Sequence, residues 1–262
     1  MAKAYERIAG DLRESIRAGR LGPGDRLPPE TKLAERYRRS VPTVRDALRL
    51  LQAEGLIEKQ HGRGNFVRRP RTPVRRANQR HQWEKDRARQ PLEQRAKTGS
   101  TEHDTGLELD DLVFNAVYRD IPAGPEIARA FDVPEGTTLL ERTFRTRYRA
   151  ESAPFSMVTS YLVRAMVAAN PELLDERNEP WPGGTQNQLY TVGIELDRVE
   201  ERITARPPTP DEAEELGLPP GTAVIELRKT MYDTDDRAVE ISDVLLPGDR
   251  TEMHFTTHLE RW

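Results

Sequence analysis

No cysteine occurs among the 262 residues, which excludes disulfides and thiolate metal sites. No apolar run approaches the ~20 residues needed to cross a bilayer. The opening Met1-Ala2-Lys3-Ala4-Tyr5-Glu6-Arg7 lacks the apolar core of a secretory signal, so the expected setting is the cytoplasm and no membrane partner is expected. The five histidines are scattered without metal-ligand spacing. His254 and His258 stand four apart, but Phe255-Thr256-Thr257 between them reads as strand, and no carboxylate motif accompanies them. No residue pattern marks a nucleophile or a tuned acid/base pair. Neither a metal, nor a cofactor, nor an enzymatic activity is expected.

What the chain has is charge, and it is unevenly spread. The net charge of −3 conceals 25 Lys and Arg against 12 Asp and Glu in residues 1–97, and 16 against 32 in the remainder. A net of +13 followed by a net of −16 points to a polyanion-binding first half. Basic side chains gain affinity for nucleic acid by releasing its condensed counterions.

The first half reads as three helices and a hairpin. Tyr5, Ile8, Ala9, Leu12 and Ile16 fall at helical spacing and predict a helix over roughly 3–18. Gly19 and the turn Gly22-Pro23-Gly24-Asp25 end it. A short second helix carries Leu33, Ala34 and Tyr37 on one face. A third runs from near Ser40 to Ala53 or Glu54, with Val44, Ala47, Leu48 and Leu51 inward. Pro42 suits its first turn, and Gly55 stops it. Leu56–Gln60 and Asn65–Arg68 then form two strands around His61-Gly62-Arg63-Gly64. That order is a winged helix-turn-helix, spanning 1–68.

The third helix has the chemistry of a recognition helix, whose N-terminal residues face base edges. Its outer face carries Ser40, Thr43, Arg45 and Arg49. Arg45 suits a bidentate contact to guanine O6 and N7. Arg38 and Arg39 neutralise phosphate. In the wing, His61, Gly62 and Arg63 form a tip whose glycines allow close backbone approach, with Arg63 able to enter a minor groove.

Residues 69–105, rich in Arg, Gln, Lys and Glu, read as a basic linker, flexible or ordered by a partner, with a short helix around 82–95 as one option. Beyond 106 the character changes. A short helix starts at Pro125 and runs through Phe131. Thr138–Tyr148, Phe155–Leu162, Arg198–Ala205, Ala223–Asp233 and Ala238–Leu246 read as strands. Thr209 caps a helix over 210–216 with acids in its first turn. Strands with few helices predict an α+β domain on an antiparallel sheet, spanning 106–262.

The segments Gly22–Ala34, Val41–Leu48 and Leu51–Ile57, in that order, closely resemble the DNA-binding domain of GntR-family repressors. The resemblance implies that Thr31 or Lys32, Ser40, Thr43, Arg45 and Gly62 occupy DNA-contacting positions. Many members carry an arginine or lysine where this chain has Val41 or Pro42, which implies a departure from the commonest operator. The second half resembles the effector-binding UTRA domain of the HutC-like branch. The resemblance is carried by Leu140–Tyr148, Thr159–Leu162, Gly183-Gly184-Thr185, Ile203–Ala213, Gly221–Val224 and Arg237–Glu240. It implies a chorismate-lyase-like fold, a homodimer contact and a small, often anionic, effector. Arg145 and Arg147, an Arg-x-Arg pair on one strand face, match anion-holding positions, Glu240 an acceptor, and Thr185, Asn187 and Tyr190 the pocket wall. Val158 stands where amino-sugar sensors of the branch carry glutamate.

The expectation is therefore a homodimeric repressor on a palindromic double-stranded operator, modulated by a small molecule and controlling plasmid-transfer or metabolic genes. The alternative is a constitutive DNA-binding regulator without an effector. A pyruvate-releasing activity is not expected, because fold likeness to a lyase does not confer its chemistry.

Overall fold

The computed structural model describes residues 3–260. The outermost residues of the two expected domains, 1–2 and 261–262, lie outside that range. The chain divides into two compact units, residues 1–72 with 207–223, and residues 73–206 with 224–262.

The first unit begins with α1 (Ala4–Arg17), α2 (Glu30–Tyr37) and α3 (Val41–Ala53). Ile8, Ala9 and Leu12 of α1 bury against Leu33 of α2 and Val44, Ala47, Leu48 and Leu51 of α3. Truncating a fully buried leucine such as Leu51 to alanine in such a core costs ~2–5 kcal/mol. Ser40 caps α3. Its hydroxyl accepts from Thr43 N at 3.4 Å and lies 2.9 Å from the Thr43 hydroxyl. Gly55, at φ +70, closes the helix. An ion pair of 2.5 Å ties Arg13 of α1 to Glu54. The hairpin follows as β1 (Ile57–Gln60) and β2 (Gly64–Val67), antiparallel, with Ile57 opposite Val67.

The second unit opens where a linker was expected. β3 (Val74–Ala77) pairs in parallel with the last strand of the unit, Thr251 opposite Val74. It is followed by α4 (Arg80–Ala88), α5 (Leu92–Arg95) and α6 (Ser100–Thr105). The tether expectation for 69–105 is thus corrected over 74–105. Its polar composition hides how the segment is fixed. Arg80 of α4 reaches Asp104 of α6 at 2.5 Å with both side chains nearly buried. The Trp83 ring packs at a tilt 4.4 Å from His103, and the Arg87 guanidinium lies 4.7 Å from the centre of the same indole. Charged residues here hold structure through partners that are remote in sequence.

Then come β4 (Leu112–Pro122), α7 (Pro125–Phe131), β5 (Thr138–Tyr148), β6 (Ser156–Val163), α8 (Arg164–Val167), α9 (Gly184–Thr191) and β7 (Leu196–Arg206). Residues 207–223 return to the first unit and carry α10 (Pro210–Glu215). The expected cap is present, since Thr209 Oγ1 accepts from Glu212 N at 3.3 Å and Glu212 accepts from Thr209 N at 2.8 Å. Gly221, at φ +79, lies so close to Ala53 that a Cβ would stand 1.7 Å from the Ala53 carbonyl oxygen. The second unit closes with β8 (Val224–Asp233), β9 (Ala238–Pro247) and β10 (Thr251–His254).

Six strands form one antiparallel sheet in the order β4-β5-β6-β9-β8-β7. Alternation sorts its side chains. On one face stand Leu140, Arg142, Phe144 and Thr146 of β5, Ser160 and Val158 of β6, Glu240 and Val244 of β9, and Lys229 and Met231 of β8. The other face carries Leu139, Val163 and Ile241 at the end where α7 packs, in a separate cluster. The expected α+β class with an antiparallel sheet is what the structure has. β4 escapes the sequence reading because it is an edge strand with Asn115, Arg119 and Asp120 exposed along it.

Candidate nucleic-acid interface and effector cavity

In the first unit, capping and burial together aim α3. Its apolar stripe is fully buried, so Arg45 and Arg49 must point outward. Thr31, Lys32, Arg38, Arg39 and Ser40 are exposed on α2 and the turn, and Thr43 is half-buried. Arg38 adopts the left-handed conformation at φ 51, which turns the chain sharply between α2 and α3. Ala34, Glu35, Arg38, Arg39, Ser40 and Thr43 line a shallow concavity there. At the hairpin tip, His61, Gly62 and Arg63 are exposed. Gly62 has φ +70 and open space around its Cα, and the Arg63 guanidinium lies over Phe66 at 5.5 Å.

The expected base-reading arginine has a protein partner that is not legible in the sequence. Arg45 donates to Glu30 Oε2 through Nη2 at 2.8 Å and Nε at 3.1 Å. That hydrogen bond holds the Glu30 carboxyl below its ordinary range. Glu30, on α2, therefore orients a guanidinium on α3, and their spacing of fifteen residues only becomes contact once the two helices cross. Arg49 pairs with Asp46 at 2.8 Å, both exposed.

In the second unit, a cavity of about 330 Å³ lies on the Arg142-bearing face of the sheet. Phe144, Thr146, Val158, Lys229, Met231 and Val244 form its sheet wall. α9 adds Thr185 and Gln188, and the preceding loop adds Glu179 and Trp181. The remaining wall comes from β3 to α6, through Arg76, Arg80, Glu84, Arg95 and Glu102.

Behind the cavity is a buried polar network. Arg142, 1% exposed, meets Glu240, 2% exposed, at 2.7 Å. Arg142 also donates to Gln188 at 2.6 Å and Ser160 at 2.8 Å. Ser160 donates to Glu240 at 2.6 Å, and Lys229 Nζ lies 3.0 Å from the second Glu240 oxygen. Burial alone would raise the Glu240 carboxyl, but the Lys229 and Arg142 charges win and hold it well below the usual range. Tyr118 donates to Glu179 at 2.5 Å, and burial pushes its hydroxyl up.

Five of the six expected effector residues do not line this cavity. Arg145 and Arg147 are on the opposite face of β5, one residue out of phase with Arg142. Arg147 instead donates to the Glu151 carbonyl at 2.9 Å. A one-residue offset reverses the face of every strand side chain, and the alternation Leu140, Arg142, Phe144 was the available signal for the correct phase. Asn187 is buried, but as a clamp. It donates to Ala88 O at 2.6 Å and accepts from Arg95 at 2.6 Å and Trp181 at 2.8 Å. Tyr190 is 46% exposed. Thr185 does line the cavity, and Glu240 stands one side chain behind it.

Residues 4–67 match the bacterial regulatory proteins of the gntR family, and residues 116–252 match the UTRA domain. The chain belongs to the GntR family. It is a transcriptional regulator with a helix-turn-helix DNA-binding domain and a UTRA effector domain, and its family and relatives are regulators rather than enzymes. An HTH-type transcriptional regulator of Streptomyces coelicolor is 29% identical over 254 residues, covering 95% of this GntR-family chain and 90% of its own. The HTH-type transcriptional repressor NagR of Bacillus subtilis is 28% identical, covering 97% and 95%. A crystal structure of a GntR-family transcriptional regulator superposes with a TM-score of 0.66 at 25% identity, covering 98% of each chain. Among the described residues no helix is long and apolar enough to cross a membrane.

Proposed function

We propose that this GntR-family chain is a homodimeric repressor. Each copy of α3 enters the major groove of one half-site of a palindromic operator, as a twofold dimer requires. The carrying observation is the composite surface of Ser40, Thr43, Arg45 and Arg49 on one face of a capped, buried-backed helix, in one unit with the exposed wing tip at Gly62 and Arg63. Arg45 reads a base edge, and Arg38, Arg39 and the N-terminal turn of α3 hold phosphate. Two relatives bear the name of repressor, NagR and the PhnF of Mycolicibacterium smegmatis, which supports repression as the sign. A small molecule in the UTRA cavity modulates operator affinity by binding the DNA-competent and DNA-incompetent poses unequally. The cavity, at about 330 Å³, falls within the ordinary size of ligand sites.

The test is genomic footprinting followed by binding of Arg45→Ala to the recovered operator. A loss of ~1–3 kcal/mol of specific binding, with relaxed discrimination at one base pair of each half-site, is expected. Unchanged specific affinity would remove Arg45, and with it α3, from base reading. Operator affinity measured with and without fractions of a small-molecule cell extract then tests modulation.

A further inference from the structure

Arg76 is the unusual group in the UTRA unit. It sits on β3, opposite Met253 of β10, and lines the cavity. Among the described residues no hydrogen-bond partner reaches its buried Nε. Burial and the neighbouring Arg80 charge disfavour its charged form, and the attraction of Asp104, Glu201 and Glu84 offsets them only in part. The other cavity cations differ. Arg80 also has an unpartnered Nε, but its terminal nitrogens are committed to Asp104 and Glu84. Lys229 is committed to Glu240, and Arg95 donates to two carbonyls and Asn187. Arg76 is thus a half-buried guanidinium that lines the cavity with donors in hand.

We propose that Arg76 anchors the carboxylate of a small, flat, singly charged effector, with Phe144 and Trp181 along its unsaturated body. This rests on the effector reading above and names the chemical class. A guanidinium fork matches a carboxylate in two parallel hydrogen bonds. Aromatic walls favour a planar body. The charge balance argues against a phosphomonoester, which carries close to two charges at neutral pH. Glu84, Glu102 and Glu179 line the same space, so a second negative charge meets repulsion with no further open cation to offset it. The consequence is positional. The anchoring residue belongs to the stretch that reads in sequence as the basic linker, so ligand contact is made on the strand that leads out of residues 1–72.

Isothermal titration of the full-length protein tests this with benzoate, its neutral isostere benzamide and glucose 6-phosphate as probes. The variants are Arg76→Gln, Arg76→Lys and the double change Arg145→Gln with Arg147→Gln. Benzoate should bind the wild type and the double variant alike, at least tenfold more weakly to Arg76→Gln, and benzamide should not bind. Should Arg76→Gln melt as an unfolded chain, Arg76→Lys keeps the charge without the fork and should still weaken benzoate severalfold. Benzoate binding indifferent to both Arg76 changes, no benzoate binding to the wild type, or preference for glucose 6-phosphate overturns the inference. Failure of the parent reading looks different. If extract fractions shift operator affinity equally in wild type and Arg76→Lys, effector control stands and the Arg76 anchor falls. If no fraction shifts it, effector control itself falls and carries the anchor with it.

Discussion

Replacing Arg142 by alanine should destabilise the UTRA unit more than any exposed arginine change in the chain. Arg142 and Glu240 are 1% and 2% exposed, and the pair is closed at 2.7 Å with Ser160 and Gln188 completing it. Removing one member of a buried pair strands the other charge, which costs ~3–5 kcal/mol. Lys229 Nζ remains 3.0 Å from Glu240 and compensates part of that charge, so the lower figure of ~3 kcal/mol is the expected loss. For a unit of this size each kcal/mol lowers Tm by roughly 2–4 °C, giving a fall of about 6–12 °C. Differential scanning calorimetry of the full-length protein reads it. Adding Glu240→Gln to Arg142→Ala should restore part of the loss, and a double-mutant cycle isolates the coupling. A loss below ~1 kcal/mol, or a double variant less stable than Arg142→Ala, would show that burial of the pair has been misjudged.

Glu240 also sets a pH dependence. Its folded carboxyl is held down to about 2, against ~4.3 in an unfolded chain. The stabilisation is therefore complete above the unfolded value and drains away as pH falls through the folded one. Melts from pH 6 to pH 2 should show a slope that Glu240→Gln flattens. Ser40→Ala removes the α3 cap and should cost ~0.5–2 kcal/mol in denaturant unfolding of the DNA-binding unit, with weaker operator binding as Thr43 loses its neighbour. Gly221→Ala should lower the unfolding free energy of the same unit, read by denaturant titration, by ~2 kcal/mol or more. It combines a left-handed backbone with a Cβ 1.7 Å from the Ala53 carbonyl oxygen; a neutral result would show that the loop yields freely.

The three helices and the hairpin of the DNA-binding unit were legible because their signals are local, whereas residues 207–223, read as part of the second domain, join that unit through contacts remote in sequence. The stripe Val44, Ala47, Leu48 and Leu51, the Ser40 cap and the glycine-flanked wing all speak within a few residues of themselves. The pairing of Arg45 with Glu30 was not, since it depends on how α2 crosses α3. In the UTRA unit, β5 was read with its correct ends, Thr138 and Tyr148, yet its arginines were given the wrong face. Three arginines in six residues offer two phases, and only the neighbours Ser160 and Glu240, 18 and 98 residues away, select one. Residues 74–105 were read as a tether because their stability comes from partners such as Asp104, Asn187 and β10, and composition carries no trace of those.

The parallel pairing of β3 with β10 has a consequence for biosynthesis. Asn78, just past β3, donates to the carbonyl of Thr256, 178 residues downstream. A parallel strand pair closed over that distance forms late, because loop closure must precede its reward. The helix-turn-helix leaves the ribosome early and its core of residues 5–67 closes on local contacts, while residues 207–223 join that unit only later. A regulator half-way through synthesis thus carries a reader of DNA whose sensor is still open. Any slowing of translation in the final strands lengthens that interval.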